Sequence, residues 1–424
     1  MSRTIHAALV AAATLAAAAA AAAQNPAPVE RVTFEEAVQR ALERNPTVGQ
    51  AEQAILRSQA LLDQSRSVFR PTVTGDYATT MLDAARGFDG NITQPRTQSR
   101  FGATGSFPVL AASRWAAATQ ARDQLGISRL SAQEVRRQVG LLAAETYLAV
   151  VSAERQRDIA VRNRETARAL ADYARARLDA GQGSRLNHVR SSQELSASEG
   201  LVQVAELAVR QAQEALGIAI FADGPVEASG DPAIPPPALT TDEAAWMAQR
   251  PDVRLYTAQV AAADRVVRDT WKSWLPTASV GFSPQYVTPK GFFEPAGTWR
   301  AFVQLEVPIY DGTLGATRRL RMADREVAQL RLDAAQARAR SEMRFAEEAV
   351  ERNEQIVAAT HQSAEDARDA LRITEIAYKA GATTNVEVVQ AQQTARNAEL
   401  LEALAEDRLR QARLDLLVAL GQFP

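Results

Sequence analysis

Few residues in this chain of 424 could do chemistry on a substrate. There is no Cys, and only three His. Disulfides, thiolate metal sites and Cys nucleophiles are therefore excluded. His188 has no Cys, Asp or second His at ligand spacing and reads as a surface residue. The neighbouring carboxylates Glu35-Glu36 and Glu347-Glu348 lie in helical sequence and read as helix charges. No phosphate-cradling Gly loop or nucleophile elbow occurs. An enzyme, a cofactor and a resident metal are thus not expected. Chemistry of another kind is concentrated in YKAGATTNVEVVQAQQ, Tyr378–Gln393. There Gly381 suits a left-handed helix cap, and Thr383 and Thr384 can cap the next helix with their hydroxyls. A second such stretch, LDAGQGSRLNHVRSSQ, Leu178–Gln193, places Gly181 and Ser184 in the same setting, 200 residues earlier (381 − 181).

Long helices must carry these two turns. From Ala112 to Ala180 there is no Pro, and only two Gly. Nearly seventy helical residues reach roughly 100 Å at 1.5 Å per residue. Beyond Gly181, Leu195, Ser198, Val202, Ala205, Val209, Ala212 and Leu216 step by three and four, which is a coiled-coil seam. The second half repeats the plan, with a long helix from about Thr313 to Ala380. A final helix follows, carrying Ala405, Leu409, Ala412, Leu416 and Ala419. Each turn is therefore the tip of a long helical hairpin, and the chain is an internal duplication.

Between the helices the period changes to two. Val73, Tyr77 and Met81 alternate with Thr72, Thr74, Asp76 and Thr80, and Phe101, Ala103 and Phe107 with Arg100, Thr104 and Ser106. The second half matches. Ala278, Val280, Phe282 and Tyr286 form one strand face; Trp299, Ala301, Val303, Leu305 and Val307 form another, opposite Arg300, Gln304 and Glu306. Phe69-Arg70-Pro71-Thr72 corresponds to Trp274-Leu275-Pro276-Thr277, and Pro46 to Pro251. Residues 24–222 and 241–424 are read as two structural repeats, with β-hairpins at 71–108 and 276–309 and long helical hairpins at 112–221 and 313–421. The Pro- and Gly-rich stretch 223–240 reads as a linker, and Thr241 as the start of a short helix.

Residues 1–23 have the pattern of a secretory signal: Arg3, an apolar Ala-rich run, then small residues. No later run approaches the ~20 apolar residues that a membrane helix requires. A formal net charge of −2 offers nothing to nucleic acid. Two β-hairpins cannot close a barrel, and open strand edges do not survive in lipid. Strands of about ten residues fit a tilted outer-membrane strand, so several copies would have to pool them. Trp271, Trp274 and Trp299 stand at or near strand ends, where interfacial aromatics belong, although local packing explains them equally well.

The duplicated plan, the paired Pro positions and the two Gly-centred tips, above all AYKAGATTNVEVVQAQ, resemble the outer-membrane efflux duct family, the TolC-like proteins, over Val32 to Gln422. The resemblance implies a mainly α fold with a small β part. Three chains would build a 12-stranded barrel in outer-membrane lipid and a hollow α-barrel in the periplasm. The short helices and the linker would form a belt. The tips would meet a periplasmic adaptor (a membrane fusion protein) and an inner-membrane pump, with Gly181, Ser184, Gly381, Thr383 and Thr384 as contact candidates. Tyr378 and Glu387 match family positions that close the periplasmic end, and a ring of Glu387 would favour cations. Thr383 and Gln390 stand where the family's best-known gate carries charges, and Asn187 matches Glu387 in the first repeat. The loops Asp83–Arg96 and Thr288–Gly297, with Phe292 and Phe293, would face outside the cell. A soluble periplasmic adaptor or scaffold is the second reading, but it leaves the four alternating strands unexplained.

Overall fold

The computed structural model describes residues 29–234, 242–290, 292 and 295–423. The expected signal segment, Thr241 and Phe293 lie outside the described residues. The helices are α1 (Phe34–Arg44), α2 (Pro46–Ser67), α3 (Ala112–Asp179), α4 (Arg185–Ala219), α5 (Glu243–Gln249), α6 (Pro251–Arg268), α7 (Thr313–Lys379) and α8 (Asn385–Ala419). The strands are β1 (Glu30–Val32), β2 (Thr72–Met81), β3 (Arg86–Phe88), β4 (Asn91–Gln94), β5 (Thr97–Leu110), β6 (Val226–Ala228), β7 (Thr277–Thr288) and β8 (Gly297–Glu306). The offset of 200 recurs in the helix ends: α4 and α8 both have 35 residues and start at 185 and 385.

The described residues group into two compact units, each drawing segments from both sequence repeats. One comprises residues 50–134 and 247–339 and holds a four-stranded antiparallel sheet in the order β2-β5-β7-β8. Its register brings Val73, Gly105, Phe282 and Ala301 side by side, and likewise Tyr77, Phe101 and Tyr286. Val280 is flanked by Phe107 and Val303. One face is therefore apolar across all four strands, and it is open to solvent: Val73 is 77% exposed, Trp299 70% and Val303 78%. The opposite face carries Thr74, Asp76, Arg100, Thr104, Ser283, Arg300, Gln304 and Glu306. Besides Ala78 and the buried Val287, which flank Arg100, the apolar exception there is Phe302. Its ring lies over Gly281, where an added Cβ would come within 2.3 Å of it, and the Arg300 guanidinium stacks 5.4 Å from the ring centre.

Two details of this sheet depart from the sequence reading. Strand β5 is longer than expected, passing through Pro108 with a bulge between Pro108 and Leu110. The bulge lets a residue without an amide hydrogen sit in the ladder. The loop after β2 is not irregular, because β3 and β4 form a small hairpin whose turn uses Asp89 and Gly90 at positive φ. Trp271 and Trp274 fall in a 3-10 turn, Asp269–Trp274, just before β7; both are exposed. Trp299 also contacts Phe282, with ring centres 5.8 Å apart. Helical segments of this unit are tied by Ser58 to Ser128 (2.7 Å) and by Arg321 to Thr270 (3.1 Å).

The other unit comprises residues 29–49, 135–246 and 340–423 of the described chain. Its largest cluster packs α1 (Ala37, Ala41) against α3 (Ala143, Tyr147, Val150) and α4 (Leu216). Tyr147 is 2% exposed, and its hydroxyl donates to the Gly230 carbonyl at 2.9 Å, which answers its polar end. The expected linker is partly ordered into this core. β6 pairs in parallel with β1, and Ile234 is buried beside Leu148 and Leu414. The expected seam positions Ser198, Val202, Val209 and Leu216 are buried on α4, as are Ala405, Ala412, Leu416 and Ala419 on α8.

Candidate functional site at the hairpin tips

Both tips use one backbone device. Gly181 has φ +70° and Gly381 φ +78°. The amides of Gly181 and Gln182 donate to the carbonyls of Leu178 and Arg177 (3.0 and 2.9 Å). Those of Gly381 and Ala382 donate to Tyr378 and Ala377 (3.0 and 2.8 Å). This paired pattern satisfies the last carbonyls of α3 and α7. No heavy atom lies within 4 Å of where a Cβ would stand on Gly181 or Gly381, so conformation alone selects glycine. Gly183 is a different case. A Cβ there would stand 2.8 Å from the Leu178 amide nitrogen, so the first turn closes too tightly for a side chain.

The next helices start from hydroxyl caps. Ser184 accepts from the Leu186 amide at 3.2 Å. Thr384 accepts from the Glu387 amide at 3.4 Å, and Glu387 Oε2 accepts from the Thr384 amide at 3.5 Å, a reciprocal capping box. Thr383, expected to share the capping, does not. Its Oγ1 is buried without a partner, because the single N-cap position belongs to Thr384. Tyr378 and Glu387 occupy different environments. Tyr378 is 6% exposed, packed with Leu170 and Val388 and edge-on to Tyr173 at 5.7 Å. Glu387 is exposed. His188 is half-buried, with Nδ1 unpartnered, and among the described residues no cluster able to hold a metal ion occurs.

A polar seam joins α4 to α8 behind the tips. Asn385, 1% exposed, donates to Ser191 Oγ at 3.1 Å. Glu194 accepts from Gln393 and Arg396, both at 2.9 Å. These residues were missed in sequence. Continuing the α4 seam back seven residues from Ser198 lands on Ser191, and that was the available signal. Further along, α7 and α8 are joined by Arg368 with Glu399 and Glu402, and by His361 with Glu402 at 2.5 Å. The hydrogen bond to Glu402, and secondarily the charge of Glu365, raise the His361 pKa above its ordinary 6.5.

Known proteins share this architecture. The family model "Outer membrane efflux protein" matches residues 37–220 and 245–422. No curated protein sequence matches. The outer membrane protein VceC of Vibrio cholerae is 14% identical over 92% of this chain and 96% of its own, with a TM-score of 0.77. The outer membrane channel CmeC of Campylobacter jejuni is 16% identical over 92% and 86%, with a TM-score of 0.79. The outer membrane channel MtrE of Neisseria gonorrhoeae, in its open state, is 19% identical over 92% and 88%, with a TM-score of 0.77. At these identities the structures establish a common fold, while the family match covers most of the sequence. Two helical hairpins and a two-faced sheet in a chain matched along both repeats lead to one conclusion: the chain belongs to the outer membrane efflux protein family and is an outer-membrane exit duct.

Proposed function

We propose that three copies of this chain form the duct, each adding β2-β5-β7-β8 to a 12-stranded barrel. The observation that carries this is the sheet itself. It has one apolar face, one polar face, and two unpaired edges, β2 and β8. In lipid an unpaired edge is expensive, so the edges demand other copies. Twelve strands fall within the range of membrane barrels, with the apolar face toward lipid and the polar face lining the lumen. The loops 83–96 and 288–297 are then the outer mouth. The helical hairpins of the three copies form the periplasmic α-barrel, and the tips meet a periplasmic adaptor working with an inner-membrane pump. A type I secretion partner fits the same surface. The duct catalyses nothing and conducts passively what the pump delivers.

In this reading Gly181, Ser184, Gly381, Thr383 and Thr384 shape the surface presented to the adaptor. Glu387 supplies the exposed carboxylate of the periplasmic gate. Tyr378 acts from behind it, holding α7 against α3 and α8 through Leu170, Tyr173 and Val388. With Thr383 and Gln390 in place of charges, the gate is an electrostatic ring rather than a salt-bridge lock. Planar-bilayer recordings of the purified protein test this. Wild type should conduct with a preference for cations, and Glu387→Ala should lose much of it. Unchanged selectivity would remove Glu387 from the gate, and the absence of any channel would contradict the shared barrel.

A further inference from the structure

The repeat that duplicates the chain also duplicates its sheet, register included. In the first β-hairpin Thr72 pairs with Ser106 and Met81 with Thr97; in the second Thr277 pairs with Glu306 and Tyr286 with Gly297. Moving β2 on by 205 (277 − 72) and β5 by 200 (306 − 106) turns one ladder into the other. Pro71 and Pro276 share the first offset, and Pro108 and Pro308 the second. β2 is therefore the counterpart of β7, and β5 of β8.

The two hairpins meet along β5 and β7, whereas their counterparts β8 and β2 are the open edges of the sheet. Every residue of β2 is exposed. The end of β8 shows what is missing. β5 continues through Phe107 and Pro108 to Leu110, which pair with Val280, Ser279 and Ala278 of β7. β8 stops at Glu306. The matching residues 307–310 belong to no strand, and Val307, Ile309 and Tyr310 are exposed, Ile309 by 91%. This segment has the counterpart sequence of a strand end but no strand beside it.

We infer that β8 of one copy adds to β2 of a second copy in the register of the β5–β7 seam. The inference rests on the shared barrel proposed above and adds its register. Applying both offsets puts Ala301 opposite Met81 of the partner subunit, Leu305 opposite the partner's Tyr77, and Val307 opposite the partner's Gly75. These pairs are the counterparts of Phe101–Tyr286, Gly105–Phe282 and Phe107–Val280. Residues 307–310 then become strand, with Tyr310 opposite the partner's Val73, as Leu110 lies opposite Ala278. Parity agrees, because apolar-face residues meet apolar-face residues and the closed wall keeps one apolar and one polar side. Charge alone would choose differently. The register sets Glu306 opposite the partner's Asp76, and like charges directly opposite repel. A slip of two residues would relieve that and keep the faces, but it would give alternate seams of the barrel unequal stagger. On a water-facing side the repulsion is the weaker demand.

The chain contains no Cys, so engineered pairs report alone. Leu305→Cys is combined in turn with Gly75→Cys, Tyr77→Cys and Thr79→Cys in the full-length protein, which is oxidised in detergent after its native mass is taken. β2 and β8 lie at opposite edges of a four-stranded sheet, about 14 Å apart, so no such disulfide forms within one copy. The expected result is a covalent trimer on a non-reducing gel, formed about tenfold faster with Tyr77→Cys than with either alternative. Ala301→Cys with Met81→Cys, which keeps every aromatic residue, should link equally fast. Tyr310→Cys with Val73→Cys should link through the extended end, and failure of that pair alone would overturn the extension of β8. A trimer that links preferentially through Gly75→Cys or Thr79→Cys, or through none of the pairs, would overturn the register and leave the barrel standing. A native mass of one chain would remove the shared barrel and the register together.

Discussion

Arginine placed on neighbouring residues of β2 separates the two faces of the sheet. Val73 and Thr74 are adjacent and exposed near the start of the edge strand β2, but their side chains project to opposite sides. Val73 shares its row with Gly105, Phe282 and Ala301; Thr74 lies beside Thr104, whose hydroxyl bonds Ser283 at 3.1 Å. If the apolar face meets hydrocarbon, Val73→Arg puts a guanidinium into it at a cost of up to about 2–4 kcal/mol per chain, the value for the bilayer midplane. That is roughly 30- to 700-fold in the folding equilibrium of each chain. Three copies in one barrel would raise the total to about 6–12 kcal/mol if the sites are independent. Thr74→Arg joins a polar face that already bears Arg100 and Arg300, and should cost less than about 1 kcal/mol. Folding into lipid vesicles, followed by urea unfolding, reads both, with Val73→Leu as the control for shape. Equal costs for the two arginines, or a larger one at Thr74, would refute the assignment of lipid and lumen faces.

Other expected outcomes are narrower. Gly381→Ala should cost about 1–2 kcal/mol from the backbone alone, since no atom crowds the site, and hydrogen exchange should show the loss confined to the tip. Gly281→Ala should destabilise by forcing the Phe302 ring aside, and Phe302→Ala should relieve much of that penalty, as a double-mutant cycle would show. Tyr147→Phe should cost about 1 kcal/mol in thermal or denaturant unfolding by leaving the Gly230 carbonyl without its donor. His361 gains its partner in the folded state, so its folded pKa is the higher one. Its contribution is complete below about 6.5 and is lost as pH rises through the raised folded value. An NMR titration should place His361 above its ordinary value in wild type and nearer to it in Glu402→Gln.

What could be read in sequence was local and periodic. Alternation assigned the apolar residues it named on the four strands to one face, and the register bears this out: Val73, Phe282 and Ala301 share a row, while Phe302, which the alternation passed over, lies on the other face. The turns at Gly181 and Gly381 were equally legible, since a left-handed cap has few solutions other than glycine. Non-local or very short features were not. Glu30–Val32 and Val226–Ala228 are three-residue strands far apart in sequence, too short for any period to show, and the second was absorbed into the linker. The reading at Thr383 failed because two adjacent hydroxyls competed for one cap and only geometry decides between them. The polar seam of Ser191, Glu194 and Asn385 was hidden because polar residues at seam positions look like surface until the facing helix is known.

The most direct test of the shared barrel is the native mass of the full-length protein extracted from the outer-membrane fraction in detergent. The account predicts a species of three chains that holds together until the strands are unfolded. A protein recovered as a monomer or dimer, soluble in the periplasm with its apolar sheet face covered some other way, would contradict the shared barrel and with it the duct.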